Sequence, residues 1–292
     1  GLTLTGSGNG TLSGAIQTGA GGLTKTGNGT WTLSGTTANY TGATSITGGT
    51  LSITGGALGS TSGTTLGGGT LALTSGSQNI GNLTVSAGST NTVTVGASST
   101  LTIGSTITRS AGGTVFFDES AASSAVATSA TGSGTNNILG WALVKDASGV
   151  IGMGQVSGGN VVRFDSTAAA VLAADSNSST TDYTTLGNSG TLSWTNAGAL
   201  TARSVNSLSI NATGNSGQIT DMGASTNVLT LASGALQFLG SGNATLKGGQ
   251  VGANASEVII HNVGSGTFTL SSLIGGGAGS LTIDGTGTTI VS

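Results

Sequence analysis

The chain has 292 residues, of which 56 are Gly, none is Pro or Cys, and only 5% are charged, for a formal net charge of −3. Collagen is excluded because Gly does not recur at every third position and Pro is absent; disorder is a poor reading because Thr, Val and Ile recur inside nearly every turn-bounded segment. No disulfide framework is possible, and six Lys plus Arg against nine Asp plus Glu, thinly spread, leave no basic run for phosphates, so nucleic acid is not an expected partner.

Residues 1–105 read as strand, turn, strand, turn: LTLTG, GTLSG, GLTKTG, GTWTLSG, ATSITGG, GTLSITGG, GTLALTSG, GNLTVSAG, NTVTVG and STLTIGS. Each is a short run with period-two alternation bounded by Gly, Asn or Ser. Gly29-Thr30, Gly49-Thr50 and Gly69-Thr70 recur every twenty residues, and a fixed period of that size marks a repeat architecture. Trp31, Leu51 and Leu71 hold one position of the repeat, and Leu33, Ile53 and Leu73 the position two residues on, so each copy offers its apolar residues to the same side. Two or more strands per period leave no room for a helix, which points to coils of parallel β-structure. Strands about 4.8 Å apart then stack equivalent side chains: Leu, Ile and Val inward, Thr and Ser outward, Gly at the corners. Stacked like charges would repel along a whole column, a physical reason for so few of them.

Residues 106–188 break the pattern. Nine of the fifteen charges lie here: Arg109, Asp118, Glu119, Lys145, Asp146, Arg163, Asp165, Asp175 and Asp182. The run from Ser120 to Thr135 reads as a long loop, and AAAVLAAD, Ala168 to Asp175, as a short helix. NNILGWALVKD and GNVVRFDS, with Trp141 and Phe164, read as bulkier strands. The regular style returns over residues 189–292, where Leu208 and Val228, like Ser209 and Leu229, are again one period apart. The expectation is an all-β chain with a loop-rich insertion in the middle of one continuous solenoid: regular coils over 1–105, elaborated coils or an insertion over 106–188, and further coils over 189–292. At about twenty residues per coil this makes roughly fourteen coils. No apolar stretch approaches the roughly 20 residues of a membrane helix.

From Gly22 to Ile53 the text GLTKTGNGTWTLSGTTANYTGATSITGGTLSI resembles the autotransporter-associated β-helix repeat of bacterial passenger domains. The motif elements are Lys25-Thr26-Gly27, Trp31-Thr32-Leu33-Ser34-Gly35, Asn39-Tyr40-Thr41-Gly42 and Gly48-Gly49-Thr50-Leu51. NNILGWALVKDASG, VVRFDSTAAAVLAAD and SEVIIHNVGSGTFTLSSLIGG are similar to non-repeat modules of large adhesin-like surface proteins that carry this repeat. The resemblance implies a right-handed parallel β-helix (β-solenoid), secretion to the bacterial cell surface, and a structural or adhesive role without catalytic residues. The text lacks the family's C-terminal membrane barrel, so self-transport is not implied.

Parallel β-helices also carry polysaccharide-cleaving enzymes, which need two carboxyls across the scissile bond or a base beside a group that holds an acidic sugar. The nearest sets here are Asp146 with Asp165, about one coil apart, and Arg163 beside Asp165; Asp118 and Glu119 would face opposite ways on a strand. Each reads more simply as a solvated loop charge or local ion pair. His261, the only His, has no serine in a nucleophile-elbow context and reads as an exposed strand histidine. GAGSLTIDGTG lacks the tandem core of a calcium-binding nonapeptide. Thr24/Thr26, Thr30/Thr32 and Thr92/Thr94 raise ice binding, but the series passes through Ser52/Thr54 and Ala72/Thr74 and is irregular. Trp31, Trp141 and Trp194 are candidate glycan platforms that read as plugs of the core or a corner. Sequons start at Asn9, Asn28, Asn39, Asn82, Asn177, Asn211, Asn243 and Asn254. No catalytic, cofactor-binding or metal residue is assigned. The expected function is a non-enzymatic extracellular structural or adhesive solenoid; the alternatives are a polysaccharide-binding or polysaccharide-cleaving β-helix and an ice-binding one. The text opens and closes in strand-like sequence without polar caps at Gly1–Gly6 or Thr288–Ser292, so the expected partner is more of the same, by continuation or head-to-tail stacking, with surface glycans as a second partner.

Overall fold

A computed structural model describes residues 1–35, 38–87, 90–173, 176–185, 190–193, 201–215, 217–254, 257–275 and 279–292. It is all-β, about 12 turns of parallel β-solenoid with essentially no helix. The chain divides into two compact units, the first comprising residues 1–131, 142–151 and 156–163 and the second residues 132–141, 152–155 and 164–292.

In the first unit, one face is a six-stranded parallel sheet running from Leu2–Leu4 through Leu23–Lys25, Thr44–Ile46, Gly63–Leu66 and Asn82–Val85 to Ile107–Arg109. A second face stacks Gly10–Leu12, Thr30–Leu33, Thr50–Thr54, Thr70–Ser75, Thr90–Val95 and Thr114–Asp118. The twenty-residue period is the stacking register: Thr30, Thr50 and Thr70 pair in sequence, as do Trp31, Leu51 and Leu71, and Leu33, Ile53 and Leu73. Leu51, Ile53 and Leu71 are fully buried, and each such side chain removed from water contributes about 1.5–3 kcal/mol. The outward columns are hydroxylic: Thr3 pairs with Thr24, Thr24 with Ser45, and Thr65 with Thr84. Two glycines are required by the stacking. Gly10 lies under the Trp31 ring, where a Cβ would sit 2.7 Å from it, and Gly27, at φ +68°, would put a Cβ 2.6 Å from the Gly6 carbonyl.

The period then lengthens. Leu71 pairs with Val93, and Val93 with Phe117, because the later coils add a third strand. Ser77–Asn79, Thr100–Ile103 and Ala125–Thr128 form that extra strip. Its last strand lies inside the Ser120–Thr135 run expected to be a loop: Val126 stacking on Leu101 and Thr128 on Ile103 supply the buried contacts, so the two alanines between and beside them suffice. Asn160–Arg163 closes the strip antiparallel to Ala125–Thr128.

The second unit has coils of 21 to 28 residues. Here Leu208 pairs with Leu236 and Val228 with Ala202, which corrects the expected Leu208/Val228 register and, with the longer coils, the expected count of fourteen. Its core runs along aliphatic columns such as Leu208, Leu236 and Ile260, with the Phe238 and Phe268 rings stacked at 5.5 Å. The helix expected over Ala168–Asp175 is instead a 3-10 turn, Ser166–Ala168, followed by a two-residue strand, Ala170–Val171, paired with Ser178–Thr184; residues 174 and 175 lie outside the described residues. So short an alanine-rich run gains too little to hold a helix against a sheet edge that pairs with Ala170 and Val171.

The columns set a mutational contrast. Leu71→Ala is expected to lower unfolding free energy in urea by about 2–5 kcal/mol, whereas outward Ser52→Ala should change it by less than about 0.5 kcal/mol.

Candidate functional site

The motif residues of the regular coils build fasteners. Lys25 occupies an inward column between Leu4 and Ile46 and is fully buried. Its Nζ donates to the carbonyls of Thr26 (2.8 Å), Gly27 (2.8 Å) and Gly48 (2.9 Å), so all three ammonium protons are placed, one of them on the next coil. Desolvation pulls its pKa below the usual lysine value. Tyr40, also buried, shares a hydrogen bond with Thr44 Oγ1 (2.8 Å), which in turn meets Thr61 Oγ1 (3.0 Å). Desolvation pushes the phenol up to about 12, against the hydrogen bonds of Thr44 and Thr61. Trp31 donates its indole N–H to Thr5 O (3.1 Å), a corner contact as expected of a lone aromatic.

Asparagines of the sequons bracket successive coils. The carboxamide oxygens of Asn9, Asn177 and Asn243 accept from the main-chain N–H of Thr30 (2.9 Å), Ser204 (2.8 Å) and Thr267 (2.9 Å). Asn211 is buried, which closes that sequon to modification. Trp194, and two residues of the sequon beginning at Asn254, lie outside the described residues.

The charged segment carries the chemistry most unlike the rest. In the first unit Asp118 pairs with Lys145 along the ladder, with a 3.8 Å contact between partly exposed side chains, a pair worth at most about 1 kcal/mol. Asp146 heads the turn after Ile138–Lys145, accepting from Ser148 N (2.9 Å), Val150 N (3.0 Å) and Arg163 Nε (2.7 Å). Desolvation opposes its ionisation, but the hydrogen bond and charge of Arg163 and the two amides hold its carboxyl below the usual value. Asp165 belongs to the second unit, is exposed, and accepts from Thr167 N (3.0 Å) at the start of the 3-10 turn. Asp146 and Asp165 therefore each cap a turn, Asp146 in a local ion pair with Arg163 and Asp165 as an exposed loop charge.

Glu119 departs further from expectation. It is not a solvated charge: the residue is 9% exposed, its N–H bonds to Lys145 O (2.9 Å), and Oε2 accepts from Val126 N (3.2 Å). The alternation that points Asp118 outward turns Glu119 in toward the Ala125–Thr128 strand. Desolvation pushes its carboxyl up to about 7, opposed by the Val126 N–H.

His261 is likewise fully buried, not exposed. It occupies a polar column between Gln237 and Asp284 on the outer face of the second unit, and that face is covered. The ring Nε2 donates to Gly140 O (3.0 Å), and Nδ1 lies 3.6 Å from Asp284 Oδ2. Gln237 Oε1 accepts from Met153 N (2.8 Å), and buried Asp182 accepts from Asn136, Asn206 and Ser207 at 2.9, 2.7 and 2.6 Å. The covering segments are residues 132–141 and 152–155, whose contribution no spacing along the chain reveals. Among the described residues no group of three or more His, Asp and Glu side chains is placed to hold a metal ion, and no helix is long and apolar enough to cross a membrane.

In-register coils held by buried fasteners, with one charged excursion, define a β-solenoid repeat protein. Residues 23–53 match the passenger-associated-transport-repeat family, and this repeat together with the solenoid fits an autotransporter passenger β-helix repeat protein. No curated protein and no solved structure matches the chain.

Two measurements test these assignments. Lys25→Met, which keeps the stem but strands three carbonyls, should cost about 1–3 kcal/mol in urea unfolding. For Glu119 the folded value lies above the ordinary carboxyl value of 4.5, so its stabilising contribution is complete below that value and lost as pH rises through about 7. Glu119→Gln should therefore gain melting temperature relative to wild type between about pH 5 and about pH 8; an equal difference at both would count against a buried, proton-bearing Glu119.

Proposed function

We propose that the chain is a non-enzymatic extracellular β-solenoid, a structural or adhesive segment of a long surface protein or filament, whose end coil receives a further coil. The observation that carries this reading is the fate of the inward columns. Leu208, Leu236 and Ile260 are fully buried or nearly so, but the next member, Ile283, is 48% exposed; Leu246 and Leu270 are buried, but Val291 is 50% exposed. The strands that carry them, Ser280–Gly285 and Thr288–Val291, also present a free edge of main-chain groups. One more coil of the same kind would bury both side chains and pair that edge, whether it came from continuation of the polypeptide or from a second copy.

The passenger-type repeat supports a surface or secreted location. The outer hydroxyls support a spacer role: Thr5 and Thr26, and Thr84 and Thr108, bond to each other along the ladder at 2.9 and 3.1 Å, so they serve coil-to-coil register before any ligand. Absence of catalysis is supported by the engagement of Asp146, Arg163 and His261 in structural contacts.

Sedimentation of the 292-residue chain over a wide concentration range should reveal head-to-tail association, and Ile283→Lys with Val291→Lys should abolish it. A chain that stays monomeric at every concentration would rule out stacking between copies.

A further inference from the structure

The outward hydroxyls of the first unit form ranks that the order of the chain conceals. Thr24 and Thr26 lie on the six-stranded face, whereas Thr30 and Thr32, like Thr92 and Thr94, lie on the second face, so the irregular series along the chain is two series interleaved. On the six-stranded face one column runs Thr3, Thr24, Ser45, Thr65, Thr84 and Thr108, a hydroxyl on every strand with no shift of register. Two residues on, past the inward position, a second column runs Thr5, Thr26, Thr47, Gly67, Ser86 and Ser110. The main-chain N–H of each of the last five bonds to the strand before it, so the ladder extends through this column as well. The second face is less regular: one column passes Ala72 and ends on Asp118, another goes from Thr92 to Phe116, and the ladder shifts between Ile53 and Thr54.

These ranks are open to solvent. Thr3, Thr5, Thr47, Thr108 and Ser110 are exposed, and Thr24, Ser45, Thr65 and Thr84 are half-buried only by their neighbours in the sheet. Thr26 bonds to Thr5 and Thr84 to Thr108, but among the described residues the hydroxyls of Thr3, Thr24, Ser45 and Thr65 have no protein partner. The two charged residues of these strands, Lys25 and Arg109, take inward positions in the column of Leu4, Ile46, Leu66 and Val85, so neither hydroxyl column carries a charge.

Periodicity selects the partner. A small molecule would use one or two hydroxyls and gain nothing from six ranks, whereas a lattice engages all of them. The hydroxyls stand about 4.8 Å apart across the strands and about 6.6 Å apart along them, repeats comparable with those of the oxygens on exposed planes of hexagonal ice. Ice excludes ions, which suits uncharged columns, and threonine is stiff at χ1, so the oxygens are held in place before any contact and little side-chain entropy is lost on binding. We propose that the outward face of the six-stranded sheet, with the Thr3-to-Thr108 and Thr5-to-Ser110 columns as its contact groups, is an ice-binding surface. One copy of the chain carries the whole face, so the activity is independent of end-to-end stacking and can fail or succeed without it.

The test is growth of a single ice crystal in solutions of the whole chain at up to about 1 mM, read as thermal hysteresis, faceting of the crystal and uptake of the protein into the ice. The chain should facet the crystal and produce hysteresis. Thr24→Tyr and Thr65→Tyr, tested singly, should each remove most of the hysteresis at an unchanged thermal unfolding midpoint, because a bulky ring lifts the lattice off the ranks. Ser52→Tyr, on the second face, should leave it at the wild-type value. Rounded crystals without hysteresis at every concentration would overturn the proposal, as would retention on microcrystalline cellulose in place of ice. So would hysteresis that survives both Thr24→Tyr and Thr65→Tyr, or that Ser52→Tyr lowers equally.

Discussion

Parallel strands stacked in register put every side chain directly over its counterpart in the next coil, and the rest of this structure depends on that constraint. A column is the unit of selection: an aliphatic residue gains burial from both neighbours, whereas a charge would meet its own copy at strand spacing. The same geometry explains hydroxyls outside, Leu and Ile inside, and a chain that carries only 5% charged residues. It also explains why glycine is obligatory at Gly10 and Gly27, where the neighbouring coil already occupies the space of a Cβ.

Several polar groups that enter the interior bring partners with them. Lys25 places three protons on three carbonyls, Tyr40 joins a chain of threonine hydroxyls, and Asp182 accepts from three side chains. These contacts tie one coil to another or pin a corner, so the residues that give the repeat its recognisable text are structural fasteners. Their distinctiveness comes from the expense of burying a charge or hydroxyl without matched geometry.

The excursion in the middle of the chain changes what the coils can do. In the second unit residues 132–141 and 152–155 lie over a polar column and turn Gln237 and His261 from surface into interior. In the first unit it buries Glu119, whose Oε1 has no hydrogen-bond partner, in the segment that also carries the Asp146–Arg163 pair. Monotonous faces serve stacking; the interruption supplies chemical contrast.

The fold class, the inward columns Trp31/Leu51/Leu71 and Leu33/Ile53/Leu73, and the strands around Trp141 and Val161 were legible in the sequence, because two-residue alternation and a repeat length are local properties that stacking simply preserves. The register beyond Leu73 was not, because a third strand per coil lengthens the period and only the ladder says that Leu208 meets Leu236. Nor were the strand at Ala125–Thr128 and the turn at Ser166–Ala168, whose conformations are imposed by neighbouring edges and not by their own composition. The burial of Glu119 and His261 belongs wholly to the tertiary structure: a residue's face follows from alternation, but whether that face meets water depends on segments far away in the chain.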